Sequence, residues 1–301
     1  MRTKCLSVCA IAISLAACAV PVNILPRKPK ATIVLTNAKP KPESIQKTPE
    51  KPRPSVPQQK PIKKACDAAC QEKWNRFGDF KAAVSKDDLR NAKRMIRQGT
   101  VTLEGVFGME ALRYAQSERM LRFLIQNGAD VNSTNSDGET ALMLIAFEGT
   151  YWKAEYLIKN RANVRIKNTK ANTSAISYCT NKRIARLLIK MGADVNEINI
   201  YGITPLIYAS NRGRNDVAQV LIDNDANVNV NSPVVGTALM LASRVGNLEL
   251  VELLLSKDAK VNVKGTDYFD RQKRKKTALQ LAIESGEDEI VEILREHGAV
   301  E

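Results

Sequence analysis

The chain has 301 residues, 44% of them hydrophobic but only 5% aromatic, which allows a core of Leu, Ile, Val and Ala rather than one built on rings. A formal net charge of +14 would suit a nucleic-acid binder, but the charge is unevenly placed. Residues 20–64 hold eleven Lys or Arg against Glu43 and Glu50, whereas residues 65–301 hold 33 basic and 30 acidic residues, so the larger part has no net electrostatic footprint for DNA or RNA.

Arg2 and Lys4 open the chain, and an apolar run from Cys5 to Ala17 follows. Positive charge before a short apolar stretch is the layout of a secretory signal, too short to span a bilayer. The run ends Leu15-Ala16-Ala17-Cys18, which resembles the lipobox of bacterial lipoproteins. The resemblance implies that residues 1–17 are a signal peptide. It further implies that Cys18 is lipidated through its sulfur, becomes the new N-terminus and is then N-acylated. A thiol is the side chain most readily alkylated. An ordinary signal peptide cut after Ala19, with Ala17-Cys18-Ala19 as the small-x-small site, is the other reading. By the sorting rule of the lipoprotein family, Ala rather than Asp at position 19 implies anchoring in the outer membrane, facing the periplasm.

Residues 18–64 follow as a Pro- and Lys-rich stretch, with Pro26-Arg27-Lys28-Pro29-Lys30, Lys39-Pro40-Lys41-Pro42 and Lys51-Pro52-Arg53-Pro54. Proline removes backbone donors and like charges repel, so this composition predicts a disordered, extended tether. About 45 residues at about 3.1 Å each could reach on the order of 140 Å. Its charge has two readings: adhesion to anionic lipid or lipopolysaccharide, or plain solubility.

Beyond residue 65 two markers recur. One is a threonine followed by small and apolar residues, at Thr140, Thr173, Thr204, Thr237 and Thr277, with steps of 33, 31, 33 and 40. The other begins at Gly128, Arg161, Gly192, Asp225, Asp258 and Gly298 and reads x-Ala-x-Val in all but the last, which is Gly298-Ala299-Val300; its steps are 33, 31, 33, 33 and 40. The spacing places two missing residues between Thr173 and Gly192 and a seven-residue insertion between Asp258 and Thr277. Val217, Val220 and Leu221 recur at i, i+3 and i+4, as an inward helix stripe requires. A period near 33 kept by two independent markers signals a repeat architecture, each unit burying its faces against its neighbours.

The units resemble the ankyrin repeat, best over Tyr201-Gly202-Ile203-Thr204-Pro205-Leu206, Gly213, Val217, Val220-Leu221-Ile222 and Ala226-Asn227-Val228-Asn229. That resemblance implies an all-α solenoid of helix-turn-helix units with β-hairpin fingers over 65–301. About seven units fill 79–301, the first two degenerate. Thr is expected to cap each first helix. The family's histidine at the fourth position of its Thr-Pro-Leu-His motif is replaced by Met143, Ile176, Ile207, Met240 and Gln280.

Reactive constellations are scarce. His297, the sole histidine, precedes a helix-ending Gly and reads as a capping or surface residue. No metal, phosphate-loop or nucleophile motif occurs, so no enzyme activity, cofactor, metal or small-molecule substrate is expected. Cys66 and Cys70, spaced C-x₃-C, form a disulfide in one reading and stay reduced or link two chains in others. Cys179 falls among packed small residues and reads as a buried, inert thiol.

Partner-binding residues follow from the family's geometry, which implies a groove of finger tips and first-helix faces. Carried over, it points to Asn168, Lys170, Asn199, Asn231 and Val234, and above all to Tyr201, Tyr208 and Arg244, each of which also has a packing reading. The insertion adds Tyr268, Phe269, Arg271, Lys273, Arg274 and Lys275, aromatic and basic residues of the kind that anchor interfaces, although a solvated loop would look the same. The expected function is protein–protein interaction by a lipid-anchored envelope protein. Its forms are an immunity protein or inhibitor of an envelope-acting toxin, or an adaptor for an envelope enzyme. The alternatives are a structural tether to cell wall or lipid headgroups and, last, an enzyme.

Overall fold

Thr140, Thr204, Thr237 and Thr277 each sit in extended backbone, and each hydroxyl accepts the backbone N–H three residues on, at 3.2–3.3 Å. This satisfies one of the donors that every helix start leaves orphaned. At Thr277 the side chain of Gln280 accepts in return from the Thr277 N–H, closing a capping box.

The computed structural model describes residues 68–267, 270 and 274–300. Among them fourteen helices run in seven pairs: α1 (Ala68–Ser85) and α2 (Leu89–Arg97); α3 (Val106–Tyr114) and α4 (Glu118–Gln126); α5 (Ala141–Glu148) and α6 (Tyr151–Lys159). Then come α7 (Ala175–Tyr178) and α8 (Lys182–Lys190); α9 (Pro205–Asn211) and α10 (Asn215–Ile222); α11 (Ala238–Arg244) and α12 (Leu248–Leu255). A short antiparallel ribbon, β1 (Gly265–Thr266) and β2 (Lys275–Lys276), precedes α13 (Ala278–Ser285) and α14 (Asp288–Glu296). Each first helix packs on the next first helix, from α1 to α13, and the second helices from α6 to α14 do likewise. The all-α solenoid implied by the resemblance is the observed architecture. Its core is a continuous row of buried aliphatics such as Leu142, Leu157, Leu188, Leu206, Leu221, Leu239, Leu254 and Leu294.

Second helices end alike. The residue opening the second marker takes positive φ whether it is Gly192 (+85°) or Arg161 (+68°), Asp225 (+64°) or Asp258 (+58°). The N–H of the following Ala then reaches back five residues to a leucine carbonyl, at 2.9–3.1 Å in all six units that carry the marker. One residue type also staples neighbouring units. Asn132, Asn196, Asn229 and Asn262 each donate to a backbone carbonyl of the next unit and accept an N–H from it, at 2.7–3.2 Å. Where Arg165 takes that place, its Nε donates to the Gly192 carbonyl at 2.8 Å.

Two sequence expectations need correction. The unit that begins near Thr173 is capped by Ser174, not Thr173. Its finger gains one residue, with Asn172 at φ +57°, and α7 is a single turn, so the shortening falls at the end of the first helix. Thr180 and Asn181 fill the gap, donating to the Phe147 and Gly149 carbonyls at 3.0 Å. Counted from the true cap, Ser177 rather than Ile176 stands at the family's histidine position. The first pair also starts earlier than residue 79. α1 begins at Ala68, and Trp74, Phe77 and Phe107 seal its end with ring centroids 4.6–6.3 Å apart.

The lipidation expectation at Cys18, the tether over 18–64 and Cys66 lie outside the described residues. Cys70 lies in α1. Among the described residues no helix is long and apolar enough to cross a membrane.

Candidate interaction surface

Each finger is held from its own base. Asn135 Oδ1 accepts the N–H groups of Asp137 and Glu139, and Asn199 Oδ1 accepts those of Tyr201 and Ile203, all at 2.9 Å. Asn168 Oδ1 accepts from Ala171 and Thr173, and Ser232 Oγ from Val234 and Val235. Neighbouring fingers are joined as well. Thr169 N–H donates to Asp137, Ile200 N–H to Ala171, and Ser232 Oγ to the Tyr201 carbonyl at 2.7 Å. Lys170 pairs with Asp137 at 2.8 Å. The fingers are therefore a bonded row rather than independent loops.

Several expected contact residues serve this scaffold. Asn168 and Asn199 are buried, and their Nδ2 groups donate to the hydroxyls of Tyr178 and Tyr208 at 3.0 and 3.1 Å. Tyr208 is itself buried. Arg244 is mostly buried, reaching Asp267 at 3.3 Å and Asn211 at 3.4 Å. Burial outweighs the nearby Asp267 carboxylate and lowers the Arg244 pKa below the ordinary arginine value. The expected exposed trio of Tyr201, Tyr208 and Arg244 is thus divided, with only Tyr201 outward, at 44% exposure. Asn231 is exposed and donates to the Lys264 carbonyl, and Val234 is half-buried.

What surrounds Tyr201 was not singled out from the sequence. Ile198 and Ile200 are exposed by 53% and 63%, and Pro233 of the next finger is also exposed. A Cβ at Gly202 would lie 2.6 Å from Pro233 Cδ, so the two fingers touch. The signal was present: Ile200 and Tyr201 occupy tip positions filled by Ser136 and Asp137, or Thr169 and Lys170, in preceding units. Solvated apolar side chains on a rigid turn, side by side with a second exposed apolar residue, are the composition of an interface core.

At the insertion, Tyr268, Phe269, Arg271 and Lys273 lie outside the described residues. Arg274 is exposed and pairs with Asp270 at 2.8 Å, and exposed Lys275 stands opposite Thr266 in the ribbon. Beneath them the buried Lys276 Nζ meets Glu284 at 2.6 Å, Asp267 at 3.2 Å and Asp270 at 3.7 Å. Burial alone would lower the Lys276 pKa. Its bonds to Glu284 and Asp267 outweigh that and raise it. The root of the insertion is an ion network that fixes the ribbon to α11 and α13.

A second buried carboxylate performs a capping task. Glu197 accepts from the Ser174 N–H at 3.0 Å and from Ser177 Oγ at 2.8 Å, with Lys167 at 3.8 Å. It lies at the N-terminus of α7, where negative charge is favoured. Cys179 is buried, and burial pushes its thiol pKa up, so it is the inert residue expected. His297 follows α14 and its Nδ1 lies 2.8 Å from the Ile293 carbonyl. Among the described residues no three His, Cys, Asp or Glu groups converge on a metal position.

A row of helix pairs with bonded fingers and no converging reactive groups among the described residues defines a repeat scaffold for contact. Models of the family described as "Ankyrin repeats (3 copies)" match residues 80–168, 161–232 and 229–300, and the chain belongs to the ankyrin-repeat family. Ankyrin repeats generally mediate protein–protein interaction and are typically not enzymes. The chain is similar to an ankyrin repeat protein of Fowlpox virus (strain NVSL), 29% identical over 43% of this chain and 20% of that one. A second protein of that virus is 28% identical over 47% of this chain and 19% of its own length. The mouse (Mus musculus) protein fem-1 homolog A-like is 33% identical over 31% of this chain and 14% of that one. The matched region thus covers a fifth or less of each relative.

Proposed function

We propose that this chain is a lipid-anchored protein of the bacterial envelope that captures a protein partner on its finger row, at the patch of Ile198, Ile200, Tyr201 and Pro233. The observation that carries the reading is apolar exposure on a turn that Asn199 and Ser232 hold rigid. Preorganised apolar anchors lose little entropy on binding. The anchor rests on the sequence Leu15-Ala16-Ala17-Cys18 behind a short apolar run. Outer-membrane placement facing the periplasm rests on Ala19. The partner is then an envelope protein, either a toxin that this chain neutralises or an enzyme that it positions.

The test is recovery from its own cells of the intact chain and of an Ile200→Ser, Tyr201→Ala variant, with bound proteins identified by mass. One stoichiometric partner that is lost from the variant, at unchanged melting temperature, supports the reading. A partner held equally by both would move the site off the fingers, and recovery of cell-wall material alone would favour a structural tether. Labelling with radioactive palmitate, present in the parent and lost in Cys18→Ser, tests the anchor separately.

A further inference from the structure

The second helices carry a division of charge that net charge conceals. Aligned by their first residues, they bury the fourth position in every pair, from Ala92 to Val291, and expose or half-expose the second, fifth and ninth. These three lie on one stripe, since i, i+3 and i+7 share a helix face. At the second position stand Arg90, Arg119 and Arg183 among the first four pairs, then Asp216, Glu249 and Glu289 in the last three. The fifth position repeats the division with Lys93, Arg122 and Arg186, then Glu252 and Glu292. So does the ninth, with Arg97, Lys159 and Lys190, then Asp223 and Glu296. Glu155 is the one residue of opposite sign, and it is paired with Lys159.

Packed helices lie about 8–10 Å apart, about one Debye length at physiological salt, so like charges repel where second helices pack, as α6 does on α8. Among the described residues Arg90, Arg119, Arg122 and Arg186 are in no ion pair. The basic half is also the end that follows residues 20–64, where eleven further basic residues meet two acidic ones. An extended anionic surface would neutralise both together. A second copy, basic half on acidic half, would leave two chains of net charge +14 each to repel.

We infer that the basic half of the second-helix face docks on an anionic phospholipid surface, and that the acidic half turns the C-terminal pairs away from it. This rests neither on the finger patch nor on the acyl anchor. The full chain carrying Cys18→Ser would be titrated with phosphatidylcholine vesicles containing phosphatidylglycerol, and with pure phosphatidylcholine. Replacing Arg119, Arg122, Arg183 and Arg186 by Gln is expected to weaken binding to the anionic vesicles on the order of tenfold or more. Replacing Glu249, Glu252, Glu289 and Glu292 by Lys is expected to strengthen it, which keeps the test valid if the first variant folds poorly. Neither change should matter on pure phosphatidylcholine. Binding by the Gln variant equal to the parent's would overturn the inference and leave the tether as the lipid-binding part. A dimer in sedimentation that the Gln variant abolishes, with vesicle binding intact, would overturn it in favour of a second copy.

Discussion

The Arg212 guanidinium lies 5.6 Å from the ring centroid of Phe147, two repeat units away, and 5.5 Å from that of Tyr208. Arg212 follows α9 and Phe147 lies on α5, so the contact passes over α7. The first helix between them, α7, is a single turn. A double-mutant cycle of Arg212→Ala and Phe147→Leu should give a coupling of about 0.5–1 kcal/mol, the size of a half-exposed cation–π contact. Additive urea midpoints would show that the two side chains are merely neighbours.

Glu197 holds the start of α7 in place of a side-chain cap. Glu197→Leu would leave the Ser174 N–H and Ser177 hydroxyl buried without a partner and should cost about 2–3 kcal/mol. Thr204→Ala, which removes an ordinary cap, should cost about 1 kcal/mol. The order of the two in chemical denaturation is the check, and a larger loss at Thr204 would contradict the assignment.

Arg161 adopts φ +68° at the position that is Gly128, Gly192 and Gly298 in three other units. A side chain there is strained, and its carbonyl, which receives Asn132 Nδ2, survives substitution. Arg161→Gly should therefore raise stability by up to about 1 kcal/mol despite the added chain entropy of glycine. An unchanged or lower midpoint would mean that the Arg161 side chain contributes more than the strain costs.

The carboxylates of Glu284 and Asp267 outweigh burial and hold the Lys276 pKa above the ordinary lysine value. A base held protonated in the fold contributes stability that is complete below its unfolded pKa and fades as pH rises through the folded one. The network at the insertion should thus be intact at neutral pH and weaken above about pH 10.5. Unfolding of the parent and of Lys276→Met, followed from about pH 8 to 12, should show a steeper alkaline decline in the parent. Parallel curves would remove Lys276 from the account.

Much of this was legible from periodicity. The recurrence of Thr140, Thr204, Thr237 and Thr277 places four first-helix starts correctly, because a cap is a local event between a hydroxyl and an N–H three residues on. Thr173 misled for the same reason. Thr173 and Ser174 can both cap, and the choice depends on Glu197, which lies 23 residues beyond Ser174. Asn168, Asn199, Tyr208 and Arg244 fell where the family's groove was expected, yet each side chain turns inward to a partner.

The amino-acid sequence by itself determined the repeat, its period, its caps and the signs of its charges, since these are set by residue type and short spacing. Tertiary packing decided which of those residues reach solvent. Stacking brings positions about 33 residues apart to neighbouring places, so the Tyr201–Gly202 turn meets Ser232 and Pro233 and nine scattered cations fall on one basic stripe. A near-neutral total of charges is a sum over the chain, and its separation into two halves exists only once the helices are aligned.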